Sequence, residues 1–490
     1  AGSIQIETEI VTGYGTLARE AYTGSASVLS SEKIGNRAIS SMESALRGNV
    51  TGALVTSTGQ PGEGSEIRLR GFGSMNAGNQ PLFVVDGMIW DQENTSGTDY
   101  AQTNPLNTLN PSDIESTTIL KDAASAALYG SRGANGVIVI TTKKGRLESS
   151  ANITLNVLSG LSKMTRNPDM VNGREYAELW VEGQLHSDVY DLVSNRTELA
   201  DVLTKLYFDK DNFRFHGRNF NEYQKIAQQK FNELFAMPTG DGSYRSYDYF
   251  GADYDKLPDT DWYDKISRMA PFNKVNLSLS GGSKSMAYYA SLEYMNQQGV
   301  IINSQLERFA MRVKLNSDLK ENFVNWGLNT YIANSIQTGP QSGSANYNSP
   351  LYAALRLPPV IPAYLEDGSY NFSFPMNILD TSHNPVASAK ENDNRRPTLN
   401  MTLTGNIQLN FTPWLNLSSR MSVAYMSSQR HSYSDKEFGY GSQDDGELTE
   451  RDVHRTKLTN TTLLTADKAF GLKNRQRLNA TAGVEIEDLE

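Results

Sequence analysis

The sequence has 490 residues, 38% hydrophobic and 20% charged, which excludes a disordered tail and leaves room for more than one domain. It contains no cysteine, so disulfide scaffolds and thiolate metal sites are excluded. A formal net charge of -10 argues against binding of nucleic acid through its phosphate backbone. The 5 histidines lack the spacing of metal ligands, so we expect no metal site and no cofactor.

Apolar runs in the chain are short. The run Val137–Ile140 is far below the roughly 20 residues that a membrane-spanning helix requires. Together with a mean hydropathy of -0.48, this excludes helical membrane spans. A transmembrane β-barrel is still possible, because the two faces of its strands alternate and their hydropathy averages out. No secretory signal peptide is present, and Ala1–Ser3 is expected to be a mature or trimmed start.

Residues 1–16 contain an extended segment rich in β-branched residues, Ile6–Thr12, which is followed by Gly13 and Gly15. Such a segment ahead of a flexible hinge can add as an extra strand to the sheet of a partner protein. The alternative is an ordinary first strand of the domain that follows.

Residues 17–147 have the pattern of a compact α+β unit. Short β-rich runs that end at turn residues predict strands, and longer runs with helical spacing predict helices. The predicted strands are Glu66–Arg70, Pro81–Val85 with a closing Asp86–Gly87 turn, a strand led by Asp113–Glu115, and Val137–Thr142; the predicted helices are Ser40–Gly48 and Lys121–Tyr129.

Residues 148–490 carry a period-two alternation that recurs segment after segment. One face of each segment is apolar and the other is polar, so each predicted strand borders two different media. About nine such segments occur, near residues 153–157, 275–279, 285–295, 311–315, 324–332, 401–411, 415–425, 456–464 and 478–486. We expect Tyr288, Leu292, Leu403 and Val423 to face lipid, and Asn325, Asn406 and Gln408 to line a lumen.

The connections between these segments alternate between short turns and long loops, the latter at about 165–270, 337–396 and 431–451. A soluble β-sandwich would explain the alternating strands but not the regular alternation of short turns with long loops, which is typical of outer-membrane barrels. Amphipathic helices predicted at Glu175–Trp180 and Tyr223–Phe235 are interpreted as loop scaffolding. Because plugged transporter barrels have about 22 strands, the sequence is expected to stop within the barrel.

Several motifs resemble those of SusC-like (SusC/RagA) TonB-dependent outer-membrane transporters. In the α+β unit they are Leu46–Gly52, Ser57–Gly62, Ile67–Gly71, Pro81–Gly87, Asn110–Glu115, Leu120–Ala123 and Tyr129–Val137; further on they are Asp261–Trp262, Gly281–Gly282 and Gln298–Ile301. The resemblance covers nearly the whole chain. It departs from the family pattern in the shortened barrel and in the absence of an immunoglobulin-like extension before residue 1.

The resemblance implies a membrane all-β fold, a transmembrane antiparallel β-barrel with an α+β plug inside. Its expected parts are a TonB-box segment at 1–16, the plug domain at 17–147 and the first part of the barrel at 148–490. The implied function is TonB-driven import of a glycan or peptide across the bacterial outer membrane, with a SusD-like surface lipoprotein as lid. The residues expected to meet the TonB complex are Glu7, Thr8, Glu9, Ile10, Val11 and Thr12.

Two loops of the plug are expected, by this resemblance, to face the cell exterior. Their amides and aromatic rings can bind hydroxyl or peptide groups and cover apolar surface of a cargo. The predicted cargo-binding residues are Met75, Asn76, Asn79, Trp90, Asp91 and Tyr100, although Trp90 could instead pack against the barrel wall.

Other functions find less support in the sequence. No nucleophile elbow, P-loop or metalloprotease motif is present, so an enzyme is not expected. The alternatives are a passive porin, which would need neither the N-terminal segment nor a plug, and a secreted β-rich glycan-binding module.

Overall fold

The structure is a computed structural model. It describes residues 9–12, 15–18, 26–31, 41–57, 59–71, 79–90, 105–122, 126–165, 168–192, 211, 214–215, 218–235, 237–238, 244–245, 257–317, 323–340, 349–372, 383–436, 445–470 and 476–489.

The N-terminal part of the described chain consists of short strands. They are β1 (Glu9–Thr12), β2 (Gly15–Ala18), β3 (Ala26–Ser30), β4 (Ala53–Ser57), β5 (Ser65–Leu69), β6 (Leu82–Val85), β7 (Met88–Trp90), β8 (Ile114–Leu120) and β9 (Val137–Thr142). Within the described residues, five of them form a sheet in the order β3-β8-β9-β6-β7. The pairs β1–β2 and β4–β5 are separate antiparallel hairpins.

The sheet of this plug unit is buried on both faces by apolar side chains. Strand β9 begins with an unbroken apolar run, Val137–Ile140, which is the pattern expected of a strand covered on both faces. Ile138 and Ile140 pack into a core that continues onto Tyr331 and Ala333 of the surrounding wall. Val137 and Val139 pack into a second cluster on the opposite face. The plug core is therefore continuous with the wall.

Helical segments in the plug are short. Helix α1 (Met42–Leu46) begins after Ser41, whose hydroxyl accepts from the amide of Ser44. Three 3₁₀ helices, Pro105–Thr108, Pro111–Asp113 and Ala127–Gly133, lie in the described residues.

The helix predicted over Lys121–Tyr129 is wrong in its bounds. Residues 123–125 lie outside the described residues, Lys121 is not helical, and the 3₁₀ helix extends to Gly133. The Lys121 ammonium donates to the Ser27 hydroxyl and the Thr51 carbonyl, both at 2.6 Å, which fixes this residue beside the sheet.

The long strands that follow form one curved wall around the plug. They are β10 (Ser149–Ser162), β15 (Ala270–Gly282), β16 (Ala287–Gln298), β17 (Gln305–Ser317), β18 (Val324–Thr338), β19 (Asp393–Thr412), β20 (Leu415–Ser434), β21 (Glu447–Phe470) and β22 (Gln476–Leu489). Between β10 and β15 lie two separate short pairs, β11 (Arg214–Phe215) with β12 (Arg218–Asn219) and β13 (Met237–Pro238) with β14 (Tyr244–Arg245). In the described residues, nine strands pair antiparallel in the order β10, then β15 through β22. The nine segments predicted from alternation are thereby confirmed.

The two faces of the wall differ in polarity. Outward residues such as Leu403, which is 48% exposed, and Leu292 form an apolar band. Inward residues such as Asn325, Thr402 and Thr404 are polar and buried against the lumen. The register predicted from the sequence is confirmed at these positions.

Helices form a layer beyond the ends of the strands. They are α2 (Gly173–Leu192), α3 (Phe220–Phe235), α4 (Trp262–Ile266), α5 (Pro350–Arg356) and α6 (Pro385–Glu391). Residues from different loops share one apolar core there, including Tyr223, Trp262, Ile301 and Val386. The two amphipathic segments predicted in the first long loop lie within α2 and α3 and contribute to this core, as loop scaffolding should. None of the described helices has both the length and the apolar character needed to cross a membrane.

We expect Leu403→Arg to lower the free energy of unfolding in a lipid bilayer by about 2–4 kcal/mol, because the charge would face hydrocarbon. Gln408→Arg, on the lumen face of the same strand, is the matched control and should change it little. Denaturant unfolding of the bilayer-reconstituted protein measures both values. Equal losses would mean that the register of β19 is shifted by one residue.

Candidate functional site

The plug meets the wall at a tight turn between β6 and β7. Asp86 and Gly87 both have positive φ, 49° and 83°, which is the conformation of a type I′ turn and favours the Asp-Gly pair. Val85 pairs with Met88 across this turn. The turn thereby projects the Asp86 carboxylate from the plug toward β17 and β18.

The Asp86 carboxylate bridges plug and wall. It accepts from the Thr142 amide at 3.0 Å and hydroxyl at 2.6 Å within the plug. From the wall, it meets the Lys314 ammonium at 3.2 Å, the Asn329 amide at 2.9 Å and Arg312 at 3.6 Å. Burial opposes its ionisation, but the charges of Lys314 and Arg312, together with the hydrogen bonds from Thr142, hold the pKa of Asp86 well below its ordinary value.

A second plug carboxylate, Asp113, completes the same arrangement. It accepts from the Tyr289 hydroxyl at 3.0 Å and lies 3.4 Å from the guanidinium of Arg312. The Arg312 side chain is 1% exposed, and its guanidinium carbon lies 4.4 Å from the centre of the Tyr331 ring. We call Asp86, Asp113, Arg312 and Lys314 the plug–barrel charge cluster.

Closer to the exterior, an ion pair of the wall itself also binds the plug. Glu293 lies between Arg308 at 2.7 Å and Lys274 at 3.0 Å. The buried Arg308 guanidinium additionally donates to the carbonyl of Asn107 in the plug, at 2.7 Å. The charged groups of the wall thus pair with one another, and a further N–H donor of Arg308 binds the backbone of the plug.

Amides and hydroxyls fill the space between these charged groups. The Asn110 side chain donates to Asn276 at 2.9 Å, and its backbone amide donates to the Tyr331 hydroxyl at 3.2 Å. The Tyr331 hydroxyl in turn donates to the Thr108 carbonyl, and Asn400 donates to the Thr108 hydroxyl at 3.2 Å. Water can replace each of these polar contacts if the plug moves, whereas a dry apolar interface would lose its burial outright.

The residues predicted to meet the TonB complex lie partly within the described chain. Residues 9–12 form β1, in which Ile10 pairs with Leu17 and Val11 with Thr16. Glu7 and Thr8 lie outside the described residues. Within them, β1 pairs with β2 alone.

Of the predicted cargo-binding residues, Trp90 and Asn79 are described, whereas Met75, Asn76, Asp91 and Tyr100 lie outside the described residues. Trp90 ends β7, is 7% exposed, and its ring centre lies 6.4 Å from that of Tyr331. Trp90 therefore packs mainly against the wall, which was the alternative considered for this residue. Trp90 also lines a cavity together with residues of the plug and of β19 to β22, namely Met88, Ile89, Asn400, Ala424, Tyr425, Met426, Arg455, Lys457 and Leu489.

Sequence reasoning did not single out the charged residues of the wall. Arg308, Arg312 and Lys314 all occupy the lumen face of β17, so the alternation pattern could have drawn attention to them. By contrast, the motifs Pro81–Gly87 and Asn110–Glu115, which carry the family resemblance, contain Asp86, Asn110 and Asp113. Their contacts with the wall give those motifs a physical role.

We expect Asp86→Asn to lower the stability of plug docking by about 3 kcal/mol, because buried cations would lose a partner while Asp113 still pairs with Arg312. Hydrogen exchange of the amides in β6 and β9 measures the loss. Arg68→Gln removes an exposed plug ion pair with Glu66 and should cost under about 1 kcal/mol. Unchanged exchange in Asp86→Asn would contradict a stabilising role for the plug–barrel charge cluster.

Comparisons with known proteins agree with this architecture. A family model of the TonB-dependent receptor plug domain matches residues 18–137. The chain is 30% identical over 416 residues to the TonB-dependent receptor P26 of Formosa agariphila, covering 83% of this chain and 34% of that protein. It is 27% identical over 369 residues to the TonB-dependent receptor SusC of Bacteroides thetaiotaomicron, covering 75% and 30%.

The chain thus spans about a third of the length of these curated relatives, namely 34% of the receptor P26 and 30% of SusC. Among solved structures it superposes on the RagAB peptide transporter with a TM-score of 0.67 at 24% identity, over 94% of this chain and 47% of that one. This likeness supports the fold, a partial antiparallel barrel around a plug. The chain therefore belongs to the SusC-like TonB-dependent receptors and comprises a plug domain with part of a barrel wall.

Proposed function

We propose that the protein imports an oligomeric nutrient, a glycan or a peptide, across the bacterial outer membrane with energy from the TonB complex. The observation that carries this proposal is a folded plug whose buried charges pair with the barrel wall. A passive porin has no use for such a plug, and a transporter needs one that can be displaced. The import reaction involves no catalytic step.

The N-terminal segment, residues 1–16, is proposed as the handle for the TonB complex, with Glu7 to Thr12 as its contact residues. In the described residues, β1 pairs with β2 along one edge, so the other edge offers backbone groups to a partner strand. Force applied there is transmitted to residues 17–147, the proposed plug domain. Residues 148–490 are proposed as the barrel portion.

The polar character of the plug–barrel interface supports displacement of the plug. Carboxylates, amides and guanidinium groups form its contacts, and water can solvate each of them as the plug moves. Glu293 would keep its ion pairs with Lys274 and Arg308 after the plug leaves, because all three residues belong to the wall. Displacement of the plug would therefore leave none of these three charges unpaired.

A SusD-like surface lipoprotein is proposed as the external partner, acting as a lid over the helical layer. That layer has its own apolar core, built from loops that follow different strands, so it can present one rigid surface. The solved structures that the chain superposes on include a RagAB peptide importer, and the curated relatives include SusC.

The cargo is proposed to contact the plug at Met75, Asn76, Asn79, Trp90, Asp91 and Tyr100. The position of Trp90 in the lining of the lumen cavity supports this assignment.

We expect Tyr100→Ala to weaken cargo binding by about 1–3 kcal/mol without altering folding, as loss of an aromatic contact would. Trp90→Ala should weaken binding and also lower stability, because that ring is packed against Tyr331. Calorimetry with a cargo identified by growth screening, alongside thermal unfolding, separates the two effects. Unchanged affinity in both variants would move recognition to the barrel loops and the lid.

We expect Val11→Pro to abolish energised uptake while barrel assembly is retained, because proline removes a backbone donor on the edge of β1 that faces away from β2. Leu17→Pro is the matched control: it disrupts the paired strand β2 but leaves the proposed contact residues unchanged. Uptake assays in cells that carry the full-length protein provide the measurement. Persistent uptake in Val11→Pro, or equal loss in both variants, would show that β1 is only a plug strand.

A further inference from the structure

The tip of the β4–β5 hairpin in the plug reaches the external rim of the wall. Its residue Pro61 is buried. A Cβ added at the neighbouring Gly62 would lie 3.0 Å from the Gln337 side chain and 3.2 Å from that of Leu306. Leu306 and Gln337 are register partners at the external ends of β17 and β18. The Asn107 side chain also donates to the Gly62 carbonyl, so the tip is seated closely against the wall.

Beside this tip lies the β16–β17 turn, residues 299–304. A Cβ at Gly299 would lie 2.8 Å from Cδ of Pro61 and 2.0 Å from the Ser304 hydroxyl oxygen, so glycine alone fits between the turn and the plug. The Gly299 amide donates to the Ser304 carbonyl at 2.8 Å, and the Ser304 hydroxyl donates to the Ile301 carbonyl at 2.5 Å. These bonds close the turn on itself, so it meets the plug as one compact unit.

The external helical layer holds the β16–β17 turn from the other side. Arg268, which follows α4, donates through Nε to the Gly299 carbonyl at 3.1 Å and through Nη2 to the Ser304 carbonyl at 2.9 Å. Its backbone amide donates to the Val300 carbonyl at 2.8 Å. Ile301 packs into the apolar core of the layer. The turn is thus bonded to the layer on one side and packed against the plug on the other.

At its other end, the β4–β5 hairpin is tied to the plug sheet. The hairpin pairs Ala53–Ser57 with Ser65–Leu69, and five residues at about 3.4 Å each make it about 17 Å long. Just before β4, the Thr51 carbonyl accepts from the Lys121 ammonium at 2.6 Å, and the same ammonium donates to the Ser27 hydroxyl of β3, also at 2.6 Å. Strand β3 is the first strand of the plug sheet after β1 and β2 in the chain. The hairpin therefore runs from the contact with the layer to this first strand.

Several motifs of the family resemblance to which the plug–barrel charge cluster gives no role lie along this path. They are the motifs that contain Thr51, Pro61, Lys121 and Gly299, namely Leu46–Gly52, Ser57–Gly62, Leu120–Ala123 and Gln298–Ile301. Each of these four residues supplies one of the contacts that join the layer, the hairpin and β3. The contacts give these separate motifs one shared physical role.

We infer that the β4–β5 hairpin couples the external helical layer to β3, through the β16–β17 turn at its outer end and through Lys121 at its inner end. Close-packed contacts transmit strain, because a displaced group cannot move into empty space. At Gly299 and Pro61 no space is left, so a shift of the turn displaces the hairpin. A change in the layer then alters the stability of β3, which follows the N-terminal segment in the chain. The use of this coupling in import rests on the proposed function, whereas the coupling itself does not.

The test is hydrogen exchange of the purified full-length protein, measured in peptides that cover β3 and the β4–β5 hairpin. Arg268→Gln removes side-chain donors to the turn and changes no residue of the plug. We expect it to speed exchange about threefold or more in both the hairpin and β3. Arg268→Lys, which keeps a donor, should have a smaller effect. Arg395→Gln is the matched control, because this exposed arginine of the wall pairs with Asp393, and it should leave both elements unchanged.

A second variant, Lys121→Met, breaks the inner connection. In that background, Arg268→Gln should still speed exchange in the hairpin but should no longer affect β3. General loosening of the plug would instead affect β3 in both backgrounds, so this double-mutant cycle separates the two explanations.

Gly299→Ala displaces the turn by a different route, which keeps the test valid should Arg268→Gln fold poorly. Its matched control is Gly405→Ala on β19, where an added Cβ meets nothing within 4 Å. The inference is overturned if β3 exchanges at an unchanged rate in both Arg268→Gln and Gly299→Ala. It is also overturned if the effect on β3 persists undiminished in the Lys121→Met background.

Failure of this inference can be told apart from failure of the import function. If uptake depends on Val11 but β3 does not respond to Arg268→Gln or Gly299→Ala, the protein is an importer whose layer and plug move independently. If uptake is independent of Val11 while β3 responds, the coupling exists and the proposed import mechanism is wrong.

Discussion

The structure depends on one constraint, which is that a guanidinium buried in the barrel wall must have partners. Arg312 is almost fully buried, and the carboxylates beside it, Asp86 and Asp113, both belong to the plug. An unpaired charge there would cost several kcal/mol. The plug is therefore docked correctly when its carboxylates lie beside the cations of the wall. The Asp86–Gly87 turn sets the position of the plug along the barrel axis at which the Asp86 carboxylate reaches these cations.

The same contacts explain how a plug can be both well placed and removable. Buried ion pairs specify geometry strongly but add little net stability, since desolvation offsets much of their attraction. Apolar packing, such as Trp90 against Tyr331, adds stability that is lost when the plug moves. Under the proposed function, displacement of the plug would therefore work mainly against a limited apolar contact, because water solvates the polar groups as they separate.

The lumen wall divides into two electrostatic regions. Around β15 to β18 its cations are matched by carboxylates of the plug and of Glu293, so that side serves docking. On the side of β19 to β22, Arg455 and Lys457 line the cavity beside Trp90, and Lys457 pairs with Glu487 of β22 at 3.1 Å. Above both, the helical layer packs loops from several strands into one core, which fixes the shape of the entrance.

Local patterns in the sequence by themselves determined the nine strands of the wall, their inward and outward faces and the Asp86–Gly87 turn, because side-chain alternation and turn conformation are properties of neighbouring residues. They did not determine that Asp86 meets Lys314, 228 positions away, or that Lys121 lies outside the helix predicted to begin there. Likewise, Lys457 and Glu487, which pair at 3.1 Å across β21 and β22, are unremarkable as separate residues. Only the tertiary structure aligned them, because strand register, and with it which charges become neighbours, is set by pairing between segments far apart in the chain.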